Sequence, residues 1–399
     1  MRLESLSTPS KVLFAIALAV VIVASPGAQA QTFKVVHDFT GGKDGANPLN
    51  GFTIDPTGIL YGTASAGGAY GSGVVLKVNS KGGESVLHAF RGGTKDGSGP
   101  QGFLLRDTAG NLYGTTAAGG AHGNGTVFRI AATKETILYS FGSRQSDGAD
   151  PEAGLAIDQA GNLYGTTTAG GSSGNGTVFM LAPPSIQGGS WTETVLYSFG
   201  TGTDGAVPVG GVSLDSSGNL YGTASSGGRY GLGTVFQLIK GSPWTEKIVH
   251  DFQDANDGAV PYAGLIAGSS GSFYGAATEG GNQGGGTIFQ LTQSNGEWTF
   301  SVIYSVPGWG ISGSFRDLVL DTAGNIYATT HCDGNNNAGT VYELSPSNGS
   351  WTYTLLYTFT GGSDGLYSFS NLAISGGALY GTTKQGGTHG AGVVFKVTP

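Results

Sequence analysis

The stretch of the sequence best suited to chemistry is His331-Cys332-Asp333, where a base, a thiol and a carboxylate follow one another. A thiol activated by a neighbouring base is a common catalytic nucleophile. Successive side chains of a strand point to opposite faces, so His331 is poorly placed to activate Cys332. Cys332 is the single cysteine, which excludes an internal disulfide. A free cysteine packs well as a small apolar side chain, and we predict an inert thiol here.

A second set of candidate residues recurs at one place in a glycine-rich phrase. The strings GNLYGTTAAGGAHGNGTVF (110–128) and GNLYGTTTAGGSSGNGTVF (161–179) are nearly identical. Nine residues after each tyrosine of the LYG-like phrase, one residue varies within a nearly constant glycine frame. These residues are Tyr70, His122, Ser173, Tyr230, Gln283, Asn336 and His389. A constant frame with a variable tip is typical of ligand-binding loops, and a solvated loop tip without a ligand is the alternative.

Six Asp-Gly pairs form a third set of candidates. Their aspartates are Asp44, Asp96, Asp147, Asp204, Asp257 and Asp364. Calcium takes six to eight oxygen ligands at about 2.3–2.6 Å, and these aspartates are spread too widely around the chain for one ion. We predict that each caps its own turn, that no metal or cofactor is bound, and that the ring of aspartates gives this surface a negative charge favouring cationic or neutral ligands.

The elements that position these residues come from an internal repeat. The marker tyrosines are Tyr61, Tyr113, Tyr164, Tyr221, Tyr274, Tyr327 and Tyr380. Each copy contains four short segments rich in aromatic and β-branched residues, such as 152–158, 163–167, 176–181 and 193–199 in the third copy. Seven such units predict an all-β fold, a seven-bladed β-propeller with four antiparallel strands per blade. We expect a neighbouring blade's side chain to fill the space above the glycine that follows most marker tyrosines.

The two ends of the repeat region are predicted to close the ring. Residues 33–39, FKVVHDF, match the fourth segment of a copy, and the chain ends on a third segment. Pairing of 33–39 with 392–398 would make the N-terminal strand the outer strand of the last blade and hide the open sheet edges.

The repeated phrases resemble the GloVer tandem repeat of secreted bacterial proteins. The resemblance covers residues 33–398, with the sixth copy matching only in part. The segment GLAIDQAGNLYGTT is also similar to NHL-type propellers and to the virginiamycin B lyase propeller. The GloVer resemblance implies a secreted repeat protein and supplies no catalytic residues.

The N-terminus has the features of a signal peptide. Basic Arg2 and Lys11 precede an apolar run of 13 residues, 12–24, and small residues lead to Ala30. The run is too short to span a membrane. We predict a signal peptide over 1–30, cleaved after Ala30, and one propeller domain over 31–399, secreted or periplasmic and monomeric. The net charge of −8 and the absence of a basic stripe exclude nucleic acid as a partner.

The sixth copy departs from the phrase at both loops, where it reads VPGWGISGSF and THCDGNNNAGT. Its unusual residues Trp309, Arg316, His331 and Asp333 join Tyr70, His122, Tyr230, Gln283 and His389 as the predicted ligand-binding set. The sequence favours a binding scaffold for a glycan or envelope component, because no metal cluster, nucleophile elbow or phosphate loop occurs. A polysaccharide- or lactone-directed lyase or hydrolase with its site in the sixth copy is one alternative. A purely structural envelope protein is the other.

Overall fold

The computed structural model describes residues 31–186, 188–200, 202–253, 256–308 and 317–399. These residues form seven sheets of four main antiparallel strands, which confirms the predicted seven-bladed propeller. A single 3-10 turn, Ser269–Gly271, is the only helical element among them. No helix in these ranges is long and apolar enough to cross a membrane. The predicted signal peptide, residues 1–30, lies outside the described residues.

Each blade has strands a to d, counted from the axis outwards. The a strands are Thr53–Ile54, Leu105–Arg106, Ala156–Ile157, Ser213–Leu214, Ile266–Ala267, Val319–Leu320 and Ala373–Ser375. The b strands are Leu60–Ala64, Leu112–Gly119, Leu163–Thr167, Leu220–Ala224, Phe273–Ala277, Ile326–Thr329 and Ala378–Thr383. Two further short pairings, of Gly97–Pro100 with strand b of blade 2 and of Gly148–Ala149 with Ala169–Gly170, extend blades 2 and 3.

Strands c and d form the outer half of each blade. The c strands are Val74–Val78, Thr126–Ala131, Thr177–Ala182, Thr234–Ile239, Gly284–Ser294, Thr340–Ser347 and Val393–Thr398. The d strands of blades 1 to 6 are Glu84–Ala89, Lys134–Ser140, Thr192–Ser198, Thr245–Asp251, Glu297–Pro307 and Ser350–Thr358. Thr32–Asp38 is the d strand of blade 7 and pairs with Val393–Thr398, which confirms the predicted ring closure.

The a strands are shorter than the sequence predicts, with 156–157 observed where 152–158 was expected. The reason lies in contacts between blades. The carbonyl of Ala153 accepts a hydrogen bond from the Thr115 hydroxyl of blade 2 at 2.8 Å, and Gly210 accepts one from Thr166 of blade 3 at 3.0 Å. Some backbone carbonyls of the inner segments therefore accept hydrogen bonds from the neighbouring blade instead of pairing with a strand of their own blade.

The hydrophobic core lies between the blades. A phenylalanine after strand d packs edge-to-face on a phenylalanine of strand c in the next blade, with ring centroids 5.0–5.6 Å apart. These pairs are Phe90–Phe128, Phe141–Phe179, Phe199–Phe236, Phe252–Phe289 and Phe359–Phe395, and all ten rings are fully buried. Each blade face is thus covered by its neighbour, which explains the weak alternation of polar and apolar residues.

The glycine after the marker tyrosine makes room within its own blade. A Cβ at Gly114 would lie 2.6 Å from the ring of Phe128 and 2.9 Å from Leu104, both residues of blade 2. Equivalent contacts with strand-c phenylalanines occur at Gly165, Gly222, Gly275 and Gly381. The expectation of a neighbouring blade's side chain is therefore wrong, because the cross-strand phenylalanine folds over the glycine.

Ring closure combines strand pairing with packing. Phe33 of the N-terminal strand stacks on Tyr357 of blade 6, with ring centroids 3.8 Å apart. Nearby, the Asn47 N–H of blade 1 donates to the Ala391 carbonyl of blade 7 at 2.9 Å. The first and last segments of the chain are therefore joined both at the outer edge and at the loops.

Removal of residues 31–38 should open the ring. We expect the unfolding midpoint to fall by at least about 10 °C and the protein to associate, because strand c of blade 7 becomes an unpaired edge. Calorimetry and sedimentation measure both effects. A synthetic peptide of residues 31–38 should restore the midpoint, and a scrambled peptide should not. A truncated protein that stays monomeric with an unchanged midpoint would contradict closure by this strand.

Candidate functional site

Two sets of loops share one face of the propeller. The d–a loops join strand d of one blade to strand a of the next, and the b–c loops join strands b and c. The last glycine of a b–c loop contacts the proline that follows the next d–a loop, and an added Cβ would lie only 2.5–2.8 Å from the proline Cδ. These pairs are Gly73–Pro100, Gly125–Pro151, Gly176–Pro208, Gly233–Pro261 and Gly392–Pro48. The face is therefore built from closely apposed backbone.

The aspartates of the Asp-Gly pairs hold the d–a loops in shape, as predicted. Asp147 accepts hydrogen bonds from the backbone N–H groups of Gly142 and Ser143 at 2.9 Å, and from the Tyr139 hydroxyl at 2.8 Å. A histidine or tyrosine of strand d approaches the aspartate in six blades. These residues are His37, His88, Tyr139, Tyr197, His250 and Tyr357.

These aspartates do not form an exposed acidic ring. Asp44, Asp96 and Asp147 are at most 7 % exposed, and the other three are half-buried. Hydrogen bonds turn these carboxylates into their own loops, so they are not presented to a ligand, and the expected negative charge of the face stays a prediction.

The variable residues of the b–c loops lie at the surface, as the frame suggested. Tyr70 is 52 % and Tyr230 47 % exposed. An arginine lies over each ring, Arg91 at 4.8 Å from the Tyr70 centroid and Arg229 at 5.6 Å from that of Tyr230. The remaining members are also exposed, and they are His122, Ser173, Gln283, Asn336 and His389.

The variable residues do not converge on one site. Gln283 donates to the Ser305 carbonyl of its own blade at 3.2 Å, and His389 Nδ1 lies 3.9 Å from the Asp38 carboxylate. Among the described contacts, none joins two variable residues of different blades. The face therefore carries separate loop tips around a ring.

One of these tips borders a groove between blades 1 and 2, here called the basic groove. Its volume is ≈ 620 Å³, and its walls are the d–a loop of 91–94 and the b–c loop of 118–123, with Ser72 and Ser98. Arg91 and His122 are its titratable lining residues, and no carboxylate lines it. Exposed Lys95 follows directly in the d–a loop. The groove is the part of the face with a clear positive character.

The predicted ligand-binding residues of blade six do not form one site. The His331 ring lies 4.2 Å from that of Phe369 in the inner segment of blade 7, and burial together with Lys384 lowers the pKa of His331 to about 4. Asp333 instead accepts a hydrogen bond from Thr330 of its own blade. Burial raises the pKa of Asp333 and, with that carboxylate nearby, of Cys332. A raised thiol pKa agrees with the predicted inert cysteine. Trp309 and Arg316 lie outside the described residues.

The two irregularities of blade six fall at places that contact each other in other blades. The first glycine of each double glycine packs on the Asp-Gly backbone of the preceding loop, so that a Cβ at Gly67 would lie 2.8 Å from Gly45 and one at Gly227 would lie 2.7 Å from Gly205. Asp333 stands at this place in blade six, where the preceding loop has no Asp-Gly pair. Loss of one glycine therefore permits loss of the other.

The axis of the propeller holds a polar cluster that sequence reasoning missed. Asp317 accepts hydrogen bonds from the Gly264 N–H at 2.6 Å and from Asn371 Nδ2 at 3.1 Å. Asn50, 3 % exposed, lines the same cavity. This cavity measures ≈ 10 Å³, and Phe103 packs across it onto Gly154. Such a volume holds about one water molecule and no sugar ring.

Outer-strand side chains meet at the blade interfaces farther from the axis. Four residues before the strand-d histidine or tyrosine, each blade presents a residue to the preceding blade. Aromatic residues stack there at three interfaces, in the pairs Phe33–Tyr357, Phe300–His250 and Tyr353–Tyr304. Glutamates occupy the other four places. Glu84 is exposed, and burial is the largest cause that raises the pKa of Glu135, Glu193 and Glu246 to about 7.

Comparison with known proteins identifies the repeat. The model of the Gloeobacter/Verrucomicrobia repeat matches residues 23–236, 132–318 and 209–399. No curated protein matches the sequence.

Three solved structures with a similar architecture are distant from this chain in sequence. A puromycin hydrolase is 11 % identical, with 87 % of this chain and 52 % of that chain covered and a TM-score of 0.55. An ulvan lyase, from a new polysaccharide lyase family, is 11 % identical over 88 % and 94 % of the chains, with a TM-score of 0.51. A gluconolactonase from Xanthomonas campestris is 15 % identical over 92 % and 89 %, with a TM-score of 0.43. At these identities the likeness shows the fold alone.

The buried glutamates should make stability fall as the pH rises. Burial, Asp204 and Asp251 raise the pKa of Glu246 from 4.5 to about 7. Between these values the folded protein keeps a proton that the unfolded chain releases, so the free energy of unfolding decreases with pH and levels off above pH 7. Glu246→Gln should reduce this slope, to which Glu135 and Glu193 also contribute, and stabilise the protein at pH 8 by about 1 kcal/mol.

Urea unfolding of both proteins between pH 4 and pH 8 measures the effect. Glu84→Gln is the matched control, because Glu84 holds the equivalent place in blade 1 and is exposed. Parallel pH profiles for the wild type and Glu246→Gln would show that Glu246 is not held protonated by its surroundings.

Proposed function

The chain belongs to the Gloeobacter/Verrucomicrobia repeat family, and we propose that it is a secreted propeller that binds carbohydrate on its loop face without cleaving it. The observation that carries this proposal is the exposed tyrosine ring of Tyr70 beneath the Arg91 guanidinium, at the edge of the basic groove. The apolar run of 12–24 supports the secreted location.

A flat aromatic face suits the apolar face of a sugar ring, and a tyrosine loses little conformational freedom when it binds. Tyr70 is held on a loop whose glycines have positive φ, among them Gly71 at +78° and Gly73 at +96°. The packing of Gly73 against Pro100 fixes the base of the loop. The ring is therefore presented to solvent by a rigid frame, which limits the entropic cost of binding.

The charge of the groove favours an acidic sugar. Arg91 and His122 line it, and neither forms an ion pair with a carboxylate among the described contacts. An arginine binds carboxylate or sulfate oxygens through two parallel hydrogen bonds. The ligand class that fits is a polysaccharide carrying uronate or sulfate groups, instead of the cationic or neutral ligand that the aspartates suggested.

A catalytic role has no comparable support in the described residues. His331 and Asp333 point to different neighbours, and Asp317 is the only carboxylate that lines the two described cavities at the axis, of ≈ 10 and ≈ 240 Å³. A general acid and base must reach the same bond, which these two side chains do not do. Binding without cleavage therefore fits the geometry better than the lyase or hydrolase alternative.

Binding to immobilised acidic and neutral polysaccharides tests the proposal. We expect retention on uronate-containing or sulfated glycans that weakens with salt. Tyr70→Ala should lower the affinity about tenfold, the equivalent of 1.4 kcal/mol, whereas Tyr70→Phe keeps the ring and should bind nearly as the wild type does. Ser173→Ala changes the same loop position of blade 3 and should have no effect.

Two results would overturn this function. Failure to bind any acidic glycan, with a folded protein, would favour a purely structural role. Release of shortened chains from a bound polysaccharide would show an enzyme, and the Tyr70 variants would then report on substrate affinity rather than on a scaffold.

A further inference from the structure

The outer interface of blades 1 and 2 brings together a histidine and two carboxylates that the loop face does not use. His88 lies on strand d of blade 1, Asp96 in the following d–a loop, and Glu135 on strand d of blade 2. His88 Nε2 is 3.2 Å from Asp96 Oδ2. One ligand atom from each of the three residues lies within 4.8 Å of the other two.

The carboxylates differ in how far their hydrogen bonding is satisfied. Asp96 is oriented by the backbone N–H groups of Arg91 at 2.8 Å and Gly97 at 2.7 Å. Glu135 Oε1 is fully buried and has no hydrogen-bond partner. A buried carboxylate oxygen without a donor is costly, so a partner that supplies positive charge would stabilise this interface.

At the next interface around the ring, the equivalent glutamate has a positively charged partner. Tyr139, Asp147 and Glu193 occupy the places of His88, Asp96 and Glu135, and Arg144 forms an ion pair with Glu193. At the interface of blades 1 and 2, the ion pair described is that of His88 with Asp96, and neither arginine nor lysine pairs with Glu135 in the described contacts. Two carboxylates therefore face one imidazole.

We propose that His88, Asp96 and Glu135 bind one divalent transition-metal ion, with Zn²⁺ as the best match. One imidazole nitrogen and two carboxylate oxygens are ligands that Zn²⁺ accepts, and water can complete a tetrahedral set. Calcium prefers oxygen ligands alone and more of them. Two ligands of a tetrahedral zinc ion lie roughly 3.3–3.5 Å apart, close to the separation of His88 and Asp96. Glu135, within 4.8 Å of both, would have to move closer to complete the site.

The ion would also stabilise the d–a loop that contains Arg91 and Asp96. Asp96 ends the d–a loop that begins with Arg91, and the same loop lines the basic groove. Coordination would tie this loop to the d strands of two blades. The site stands independently of carbohydrate binding, because none of its three residues lines the groove.

Titration of the chelator-treated protein with Zn²⁺ tests the site. Calorimetry should give one equivalent of bound ion, and Zn²⁺ should raise the unfolding midpoint. His88→Tyr should weaken binding at least ~30-fold. This variant is expected to fold, because tyrosine stands at the equivalent place in blades 2 and 3 beside Asp147 and Asp204. Glu135→Gln should also weaken binding, about tenfold or more.

His37→Tyr is the matched control. It makes the same substitution in blade 7, where His37 approaches Asp44 but the glutamate of the next strand, Glu84, is exposed. Binding should be unchanged in this variant. Equal Zn²⁺ affinity of the wild type and a folded His88→Tyr would place the ion on other histidines and overturn the proposal, as would the absence of any bound equivalent in the wild type.

Discussion

The structure depends on how closely the backbone of one blade approaches the next. At the loop face, the N–H of the residue before each proline donates to a carbonyl of the preceding b–c loop, as Asp150 does to Asn124 at 3.0 Å and Val207 does to Asn175 at 2.9 Å. These residues have positive φ, an uncommon conformation outside glycine. The facing glycine leaves space for the proline ring. Glycine is thus required at these places by the neighbouring blade as well as by the turn.

This constraint explains how a chain with 75 glycines forms a rigid protein and how its surface can vary. The glycines that contact a neighbour are fixed by packing, and the residue at the loop tip is not. Tyr70 and His122 therefore differ in chemistry on similar frames. In blade six a packed position also varies: Asp333 replaces the glycine, and the Asp-Gly pair that would face it is absent as well. Binding surfaces can change at the tips without cost to the ring.

Much of the fold could be predicted from the sequence because the repeat fixes blade number, strand number and ring closure together. The role of each Asp-Gly aspartate was also predictable, since turn chemistry is local. Contacts between copies of the repeat could not be predicted from the sequence. The proximity of His88 to Glu135 joins residues of adjacent repeats, and it becomes visible only once neighbouring d strands are placed side by side. The polar axial cluster around Asp317 was missed for the same reason, and so was the burial of Asp96, which depends on the folded loop.

A pair of alanine substitutions in one loop tests the central constraint most directly. Gly123 and Gly125 both have positive φ, +83° and +92°, but a Cβ at Gly123 meets nothing within 4 Å, whereas one at Gly125 would lie 2.6 Å from Pro151 Cδ and 2.3 Å from the Thr116 carbonyl. Gly123→Ala should lower the free energy of unfolding by about 1 kcal/mol, the cost of the backbone conformation alone. Gly125→Ala should cost roughly 2 kcal/mol more, because the added methyl group meets both the Thr116 carbonyl of its own blade and the Pro151 ring of the next d–a loop. Equal losses for the two variants would contradict the account, since they would show that the turn, and not the neighbouring blade, requires the glycine.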